Sequence, residues 1–363
     1  MKYFLIAGEA SGDNHAAALI QQIKLRDPKA LFAGLGGDRM KSAGCFLYRH
    51  IQHMAFMGFA AVIHHWKDVK DNFRIAREAL LNEKPDVLIL IDYPSFNLQM
   101  ASFCRKHLPQ TRIIYYIPPK VWAWKKWRVH RIGRLCDEVL GIFPFEPAFY
   151  AKYGYQCTYV GHPTVEQIKV KRERLKEKCI AILPGSRTSE ISHCLPRMLA
   201  SARHFPEYKI TVCAAPGIED DFYKDYLHVG ETLNRDTYNT LCAATAAIVN
   251  SGTATLETAL IGCPQVAVYH LALSPLIGLL RWMRPLFFST PYFTPVNIVA
   301  GKEIIKECMA NDFTEEKVTA ELSQLLSNDD YTKEMLASYQ HLNALLGDHS
   351  ASATAAEIIT SRP

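Results

Sequence analysis

Short apolar runs alternate with stretches of helical period along most of the chain. One series of runs is Tyr3–Ala7, Leu31–Leu35, Val87–Ile91, Arg112–Tyr116, Glu138–Gly141 and Thr158–Val160. A second series is Cys179–Leu183, Lys209–Cys213, Ala247–Asn250 and Gln265–Tyr269. Among them, Asn14–Leu25, Asn72–Asn82, Ile191–His204 and Ala254–Ile261 carry apolar residues at helical spacing. Strands that are apolar throughout, rather than at alternate positions, are covered on both faces. The pattern therefore predicts an α/β protein with parallel sheets flanked by helices. The run 169–178, KVKRERLKEK, is too polar for either sheet and predicts a linker or solvated helix. Two doubly wound, Rossmann-like domains follow, 1–168 and 169–345, with 346–363 as a tail rich in Ser, Ala and Thr.

Composition narrows this only slightly. The formal net charge of +5 is too weak to imply nucleic acid but suits an anionic substrate or membrane surface. None of the ten cysteines forms a C-x-x-C pair, so they read as reduced core thiols of a cytosolic protein. The apolar start is too short for a signal peptide and turns at once into a Gly/Asp loop. No apolar stretch is long enough to span a bilayer. The fourteen histidines lack ligand spacing, so no metal and no cofactor is expected, and no G-x-S-x-G element points to hydrolase chemistry.

In open parallel sheets, ligands bind beyond the carboxyl ends of the strands, which directs attention to the loops there. After the first strand, Gly8-Glu9-Ala10-Ser11-Gly12-Asp13 makes a tight turn into a helix start. It suits an oxygen-rich ligand, and a plain helix-capping turn would use the same residues. After Val87–Ile91 comes Asp92-Tyr93-Pro94-Ser95-Phe96-Asn97. Asp92 stands where a general base would meet a sugar hydroxyl, or where a structural Asp would cap the next helix. In the second series, Leu183-Pro184-Gly185-Ser186-Arg187-Thr188-Ser189-Glu190 combines a Gly-Ser turn, an Arg and a helix start. That is a phosphate-receiving arrangement in which Arg187 neutralises leaving-group charge, or a capped helix with a surface Arg. In Asn250-Ser251-Gly252-Thr253-Ala254-Thr255-Leu256-Glu257, small residues admit a diphosphate to a helix start. Glu257, one turn in, is placed to accept ribose hydroxyls; a well-capped core helix is the plain alternative. The stretches Met54–Trp66 and Ser274–Phe288 are apolar with interspersed bases. They suit a membrane interface or acyl chains, and equally core or subunit packing.

Taken in order, these motifs resemble the lipid-A-disaccharide synthase family. The resemblance runs through GEASGD (Gly8–Asp13), GLGGDRM with Gly44, Met57-Gly58, Asp92 with Phe96-Asn97, and VWAW (Val121–Trp124). It continues through PFE (Pro144–Glu146), VGHP (Val160–Pro163), LPGSR with Glu190, SGTATLE (Ser251–Glu257) and Val296-Asn297-Ile298-Val299-Ala300. The resemblance implies a GT-B fold, two Rossmann-like domains facing a cleft, and an inverting glycosyltransferase. The implied reaction joins UDP-2,3-diacylglucosamine to 2,3-diacylglucosamine 1-phosphate (lipid X), giving lipid A disaccharide 1-phosphate and UDP. Asp92 matches the essential aspartate, Arg187 the residue that holds the donor diphosphate, and Glu9, facing the cleft from the first domain, is a third catalytic candidate. Gly185, Ser186, Glu190, Gly252, Thr253, Glu257 and Asn297 fall on the donor side. Phe56, Met57, Phe59, Val62, Ile63 and Trp66 coincide with a membrane-contacting patch. A homodimer is implied, cytoplasmic and peripheral on the inner membrane of a Gram-negative bacterium.

The chain departs from the family pattern at three points. Ser95 stands where Asp is common, and Pro118 and Lys120 replace small hydroxyl residues before VWAW. Asp92 is thereby the only base candidate in its loop. Two other classes fit the same plan: a UDP-N-acetylglucosamine 2-epimerase-like isomerase, and a non-catalytic nucleotide-sugar or lipid-binding protein.

Overall fold

The structure, a computed structural model, describes residues 1–54, 66–123, 125–168, 170, 178–270 and 290–361. Of the expected lipid patch, Phe56, Met57, Phe59, Val62 and Ile63 lie outside the described residues, as does the side chain of Trp66. Trp124, most of the run 169–178 and the stretch Ser274–Phe288 also lie outside them. No helix among the described residues is long and apolar enough to cross a membrane.

The apolar runs assemble into two all-parallel sheets. The first contains β1 (Lys2–Ala7), β2 (Leu31–Gly36), β3 (Phe46–His50), β4 (Val87–Ile91), β5 (Arg112–Tyr116), β6 (Glu138–Gly141) and β7 (Thr158–Tyr159). Their order is β3-β2-β1-β4-β5-β6-β7, with Leu5 paired to Gly34 on one side and Ile89 on the other. The second contains β8 (Cys179–Leu183), β9 (Lys209–Cys213), β10 (Thr232–Asn234), β11 (Ala246–Asn250), β12 (Gln265–Tyr269) and β13 (Lys306–Met309), in the order β10-β9-β8-β11-β12-β13. The central strands β4, β8 and β11 are buried at every residue, as a sheet covered on both faces requires. Strands β3, β10 and β13 are additional to those the apolar pattern predicts. All three are edge strands, whose polar positions break any continuous apolar run.

In the first sheet the chain leaves β1 toward β2 and β3 on one side, and leaves β4 toward β5, β6 and β7 on the other. Adjacent crossovers that part in this way open a crevice at the carboxyl ends of β1 and β4. The second sheet repeats the arrangement at β8 and β11. Both pairs of loops singled out in the sequence stand at these two switch points.

The chain divides into two compact units, Met1–Pro163 with His349–Pro363, and Thr164–Asp348. The last segment is not the tail expected over 346–363. Ala351–Thr360 is a helix whose Ala351, Ala355, Ala356 and Ile359 are buried. It packs on the helix Ala10–Arg26 of the first unit. Ser350 caps it by accepting the Ala353 N–H at 3.2 Å, and the Arg112 guanidinium donates to the Ile359 carbonyl at 2.9 Å. Small side chains let two helices approach closely, which is why a run of Ala, Ser and Thr is structural here.

Candidate active site

In the first unit, the loop after β1 is tied down by its last residue. The buried Asp13 carboxylate accepts the backbone N–H groups of Gly37 at 2.8 Å, Arg39 at 3.0 Å and Met40 at 3.0 Å. It thereby caps the short helix Asp38–Ser42 from a distance and joins the GEASGD and GLGGDRM elements. Glu9 precedes the helix Ala10–Arg26 in an extended conformation, half-buried, and its side chain does not cap that helix. Together with burial, which is the larger cause, its charge pushes the Tyr93 hydroxyl above its ordinary pKa. The Tyr93 ring lies over Gly8, where an added Cβ would come within 2.4 Å of ring atoms.

The turn after β4 is strained. Asp92 and Tyr93 both occupy the left-handed region, with φ of 46° and 44°. Ile117, at the end of β5, does so at 60°, a rare conformation for a β-branched residue. Neighbouring groups hold these conformations. The Asp92 carbonyl accepts the Tyr115 hydroxyl at 2.7 Å and the Asn97 side-chain amide at 2.7 Å. The Asp92 N–H reaches the Ile117 carbonyl at 3.2 Å. The Tyr93 hydroxyl donates to the Met54 carbonyl at 2.9 Å, pinning the start of the apolar Met54–Trp66 stretch. The Asp92 carboxyl is half-buried, and burial raises its pKa. The Lys120 ammonium and the Tyr93 backbone N–H pull it back down. A carboxylate destabilised by burial but still ionised is a stronger proton acceptor than one in water. Ser95 is exposed and its hydroxyl accepts Arg128 at 3.4 Å, and as a neutral hydroxyl it supplies no second carboxylate.

Around this turn the structure gathers residues that sequence spacing did not single out. Glu146 is fully buried in the loop after β6, where it begins the helix Glu146–Ala151. It accepts the N–H groups of Ile142 at 2.8 Å and Phe143 at 3.0 Å, and the Trp122 indole at 3.1 Å. Burial nevertheless raises it to about 7, against those three donors and Lys120. His162 is buried, packs its ring on Phe143 with centroids 5.2 Å apart, and is held down to about 3 by burial, Lys120 and His15. It is therefore neutral at physiological pH. PFE, VGHP and VWAW, far apart in sequence, are neighbours here because β5, β6 and β7 are adjacent strands.

In the second unit, the loop after β8 turns at Gly185, whose φ of +128° favours glycine. A Cβ there would meet Asn250 Nδ2 and Glu190 Cβ, each at 2.8 Å. The loops after β8 and β11 therefore abut. Glu190, expected among the donor contacts, is turned into its own loop. It accepts the Ser186 N–H at 3.0 Å, the Ser186 hydroxyl at 3.4 Å and Arg187 at 3.0 Å. Its role in this structure is to shape the loop and hold the exposed Arg187. After β11, Gly252 is extended and a Cβ on it would meet nothing within 4 Å. Open space thus lies before the exposed Thr253 and the first turn of the helix Thr253–Ile261. Glu257, half-buried and raised in pKa by burial, accepts the Tyr238 hydroxyl at 3.3 Å.

Asn297, expected on the donor side, has its side chain engaged within the second unit. It is completely buried, and its amide nitrogen donates to the Ile305 carbonyl and to Glu307, both at 2.9 Å. Its oxygen accepts the N–H groups of Ile304 at 2.8 Å and Ile305 at 3.0 Å. An Asn side chain has two donor and two acceptor positions, and all are used within the protein. Asn297 braces the chain leading into β13.

Comparison with known proteins follows the same outline. A family model described as lipid-A-disaccharide synthetase matches residues 3–359. A lipid-A-disaccharide synthase of Trichlorobacter lovleyi is 33% identical over 99% of this chain and 97% of its own length. Two solved structures are similar in fold. One is the glycotransferase of kitacinnamycin, with a TM-score of 0.67 and 13% identity over 99% of this chain and 98% of that one. The other is the UDP-GlcNAc 2-epimerase of Neisseria meningitidis, with a TM-score of 0.68 and 10% identity over the whole of both chains. At such identities the likeness is one of fold, and the fold is GT-B.

Proposed function

The chain belongs to the lipid-A-disaccharide synthase family, and on that premise we propose which of its residues perform the transfer. It is a glycosyltransferase of lipid A biosynthesis that uses a UDP-sugar and a lipid substrate. In our reading the acceptor is 2,3-diacylglucosamine 1-phosphate and the donor is UDP-2,3-diacylglucosamine. Asp92 takes the proton of the acceptor 6-hydroxyl, whose oxygen attacks the donor C1. The bond from C1 to the diphosphate breaks with inversion, and UDP leaves. Arg187 balances the charge developing on the diphosphate, which lies in the open space before Thr253 and beside Gly185 and Ser186. Glu257 meets the ribose, and Glu9 supports the Asp92 turn. The first unit takes the acceptor and the second the UDP-sugar.

The observation that carries this reading is Asp92. It is an acid at a topological switch point, held in a strained left-handed turn, with burial raising its proton affinity. We also read the Met54–Trp66 stretch as meeting the cytoplasmic face of the inner membrane, and the enzyme as a peripheral homodimer. Incubation with both diacylglucosamine substrates tests the proposal, with disaccharide and UDP measured together. Asp92→Ala should abolish both products while leaving UDP binding intact. Wild-type turnover in that variant overturns the base assignment. UDP release by the wild type without any acceptor speaks for hydrolysis or epimerisation instead.

A further inference from the structure

The guanidinium of Arg128 is poorly matched by the protein around it. In the same unit Arg105 and Arg112 meet the carboxylates of Asp137 and Glu138, and Arg131 donates to the Leu98 carbonyl at 3.2 Å. Arg128, half-buried at the start of the helix Arg128–Leu135, meets no acid and no carbonyl among the described residues. Its Nη2 donates to the Ser95 hydroxyl at a long 3.4 Å, and its Nε–H is shut off from solvent without an acceptor. The ring of the exposed Trp127 lies on one side, its centre 5.7 Å from the guanidinium carbon. Burial holds its pKa below the ordinary arginine value, as befits a charge that has lost water without gaining an acid. Five N–H donors with one long hydrogen bond leave the Nη edge of the fork for a ligand.

The contact with Ser95 places this cation beside the Asp92 turn. Ser95 lies in the first turn of the helix Pro94–His107, which starts where β4 and Asp92 end. That helix packs against Arg128–Leu135, which follows the loop leaving β5. An acid at position 95, common in the family pattern, would occupy the guanidinium; the hydroxyl of this chain leaves its charge uncompensated.

The acceptor's chemistry supplies an anion at that place. Its C1 carries the phosphate and its C5 carries the arm with the 6-hydroxyl, and both carbons are bonded to the ring oxygen. A base that meets the 6-hydroxyl therefore has the phosphate on the adjoining side of the sugar, over the loops next to it. A planar guanidinium presents two parallel N–H donors to such a group. We propose that Arg128, assisted by the Ser95 hydroxyl, holds the 1-phosphate of the acceptor and makes the first unit select a sugar phosphate. The inference rests on the reading of Asp92 as the base that meets the acceptor.

The test compares two acceptors in the disaccharide assay, 2,3-diacylglucosamine 1-phosphate and the same sugar without its phosphate. It uses the wild type, Arg128→Met, Arg128→Lys, Ser95→Asp and Asp92→Asn. The wild type should prefer the phosphorylated acceptor by roughly 10- to 100-fold in kcat/KM. In Arg128→Met the two acceptors should become nearly equal, through a higher KM for the phosphorylated one, while the KM for the UDP-sugar moves little. Arg128→Lys, with a point charge in place of the fork, should keep part of the preference. Ser95→Asp, at an exposed position, gives the guanidinium an acid and should also shrink the preference, a readout that holds even if the Arg128 variants fold poorly. A wild type that treats the acceptors alike, or an Arg128→Met that loses both in equal proportion, overturns the proposal. Turnover retained by Asp92→Asn defeats the base reading instead. An inactive Asp92→Asn with the preference intact in Arg128→Met and Ser95→Asp defeats the Arg128 inference alone.

Discussion

Glu146→Gln gives the sharpest physical test of the first unit. Most carboxylates in folded proteins are held below their ordinary pKa, and they stabilise the fold as pH rises. Glu146 is the reverse case. Burial raises it from 4.5 to about 7, and its three N–H donors and Lys120 only partly oppose that. Between those two pH values the folded chain binds more protons than the unfolded chain, so stability must fall as pH rises. The contribution is complete below about pH 4.5 and lost by about pH 7. At about 1.4 kcal/mol for each pH unit, the interval corresponds to about 3 kcal/mol. Gln has no proton to lose, and its amide oxygen can replace the carboxylate oxygen that accepts both Ile142 and Phe143. Its NH2 then faces the Trp122 indole N–H, donor against donor, at a pH-independent cost of about 1–2 kcal/mol. The assay is urea unfolding from pH 4.5 to 8, followed by circular dichroism and fluorescence, with the variant subtracted from the wild type so that common groups cancel. The wild type should lose about 3 kcal/mol relative to Glu146→Gln across that range. A flat difference, or one that rises with pH, refutes the argument that burial outweighs the hydrogen bonds.

Two further substitutions probe residues whose roles the structure revised or sharpened. Gly185→Ala places a Cβ at φ +128° and 2.8 Å from Asn250 Nδ2 and Glu190 Cβ. It should cost roughly 1–3 kcal/mol in the second unit and weaken UDP binding together with thermal stability, as calorimetry would read; unchanged UDP affinity would detach the loop from the donor. Asp13→Ala leaves the Gly37, Arg39 and Met40 N–H groups without their acceptor. A loss of roughly 2–4 kcal/mol is expected in denaturant unfolding, with the KM for both substrates little changed if Asp13 is structural.

How much of this was legible in the sequence follows from burial. Val87–Ile91 and Cys179–Leu183 read as strands at their true limits because sheets covered on both faces leave no polar position. Phe46–His50, Thr232–Asn234 and Lys306–Met309 lie at sheet edges, where most residues are only partly buried and the apolar signal disappears. Loops at strand ends could be located, because parallel topology fixes where ligands bind. The division of labour within those loops could not. The part Asp13 plays in the Gly8–Asp13 turn shows only once its partners, more than twenty residues later, are known. Nor does spacing show that Asn297 uses its four bonding positions to brace the chain before β13. The final helix was hidden for a different reason. Ala and Ser at a close helix crossing carry little hydrophobic signal, although Ala351, Ala355 and Ala356 have no exposed surface.

These distinctions give a criterion for telling positioning residues from reacting ones in this fold. Asp13, Glu146 and Asn297 are buried acids or amides whose hydrogen-bonding atoms are taken up by backbone N–H groups, a carbonyl, or a neighbouring side chain. Such saturation fixes loops and leaves little for chemistry. Asp92 differs in kind. Its backbone is gripped most, with Tyr115 and Asn97 both donating to its carbonyl and Ile117 accepting its N–H, while its carboxylate meets the Tyr93 N–H. Left-handed conformations at Asp92, Tyr93 and Ile117 each cost on the order of 1–3 kcal/mol, and they persist only because these contacts over-determine the turn. A fold that spends its hydrogen bonds on a strained main chain leaves the carboxylate above it available for a proton. That is the arrangement expected of a base, and the opposite of what a capping aspartate would show.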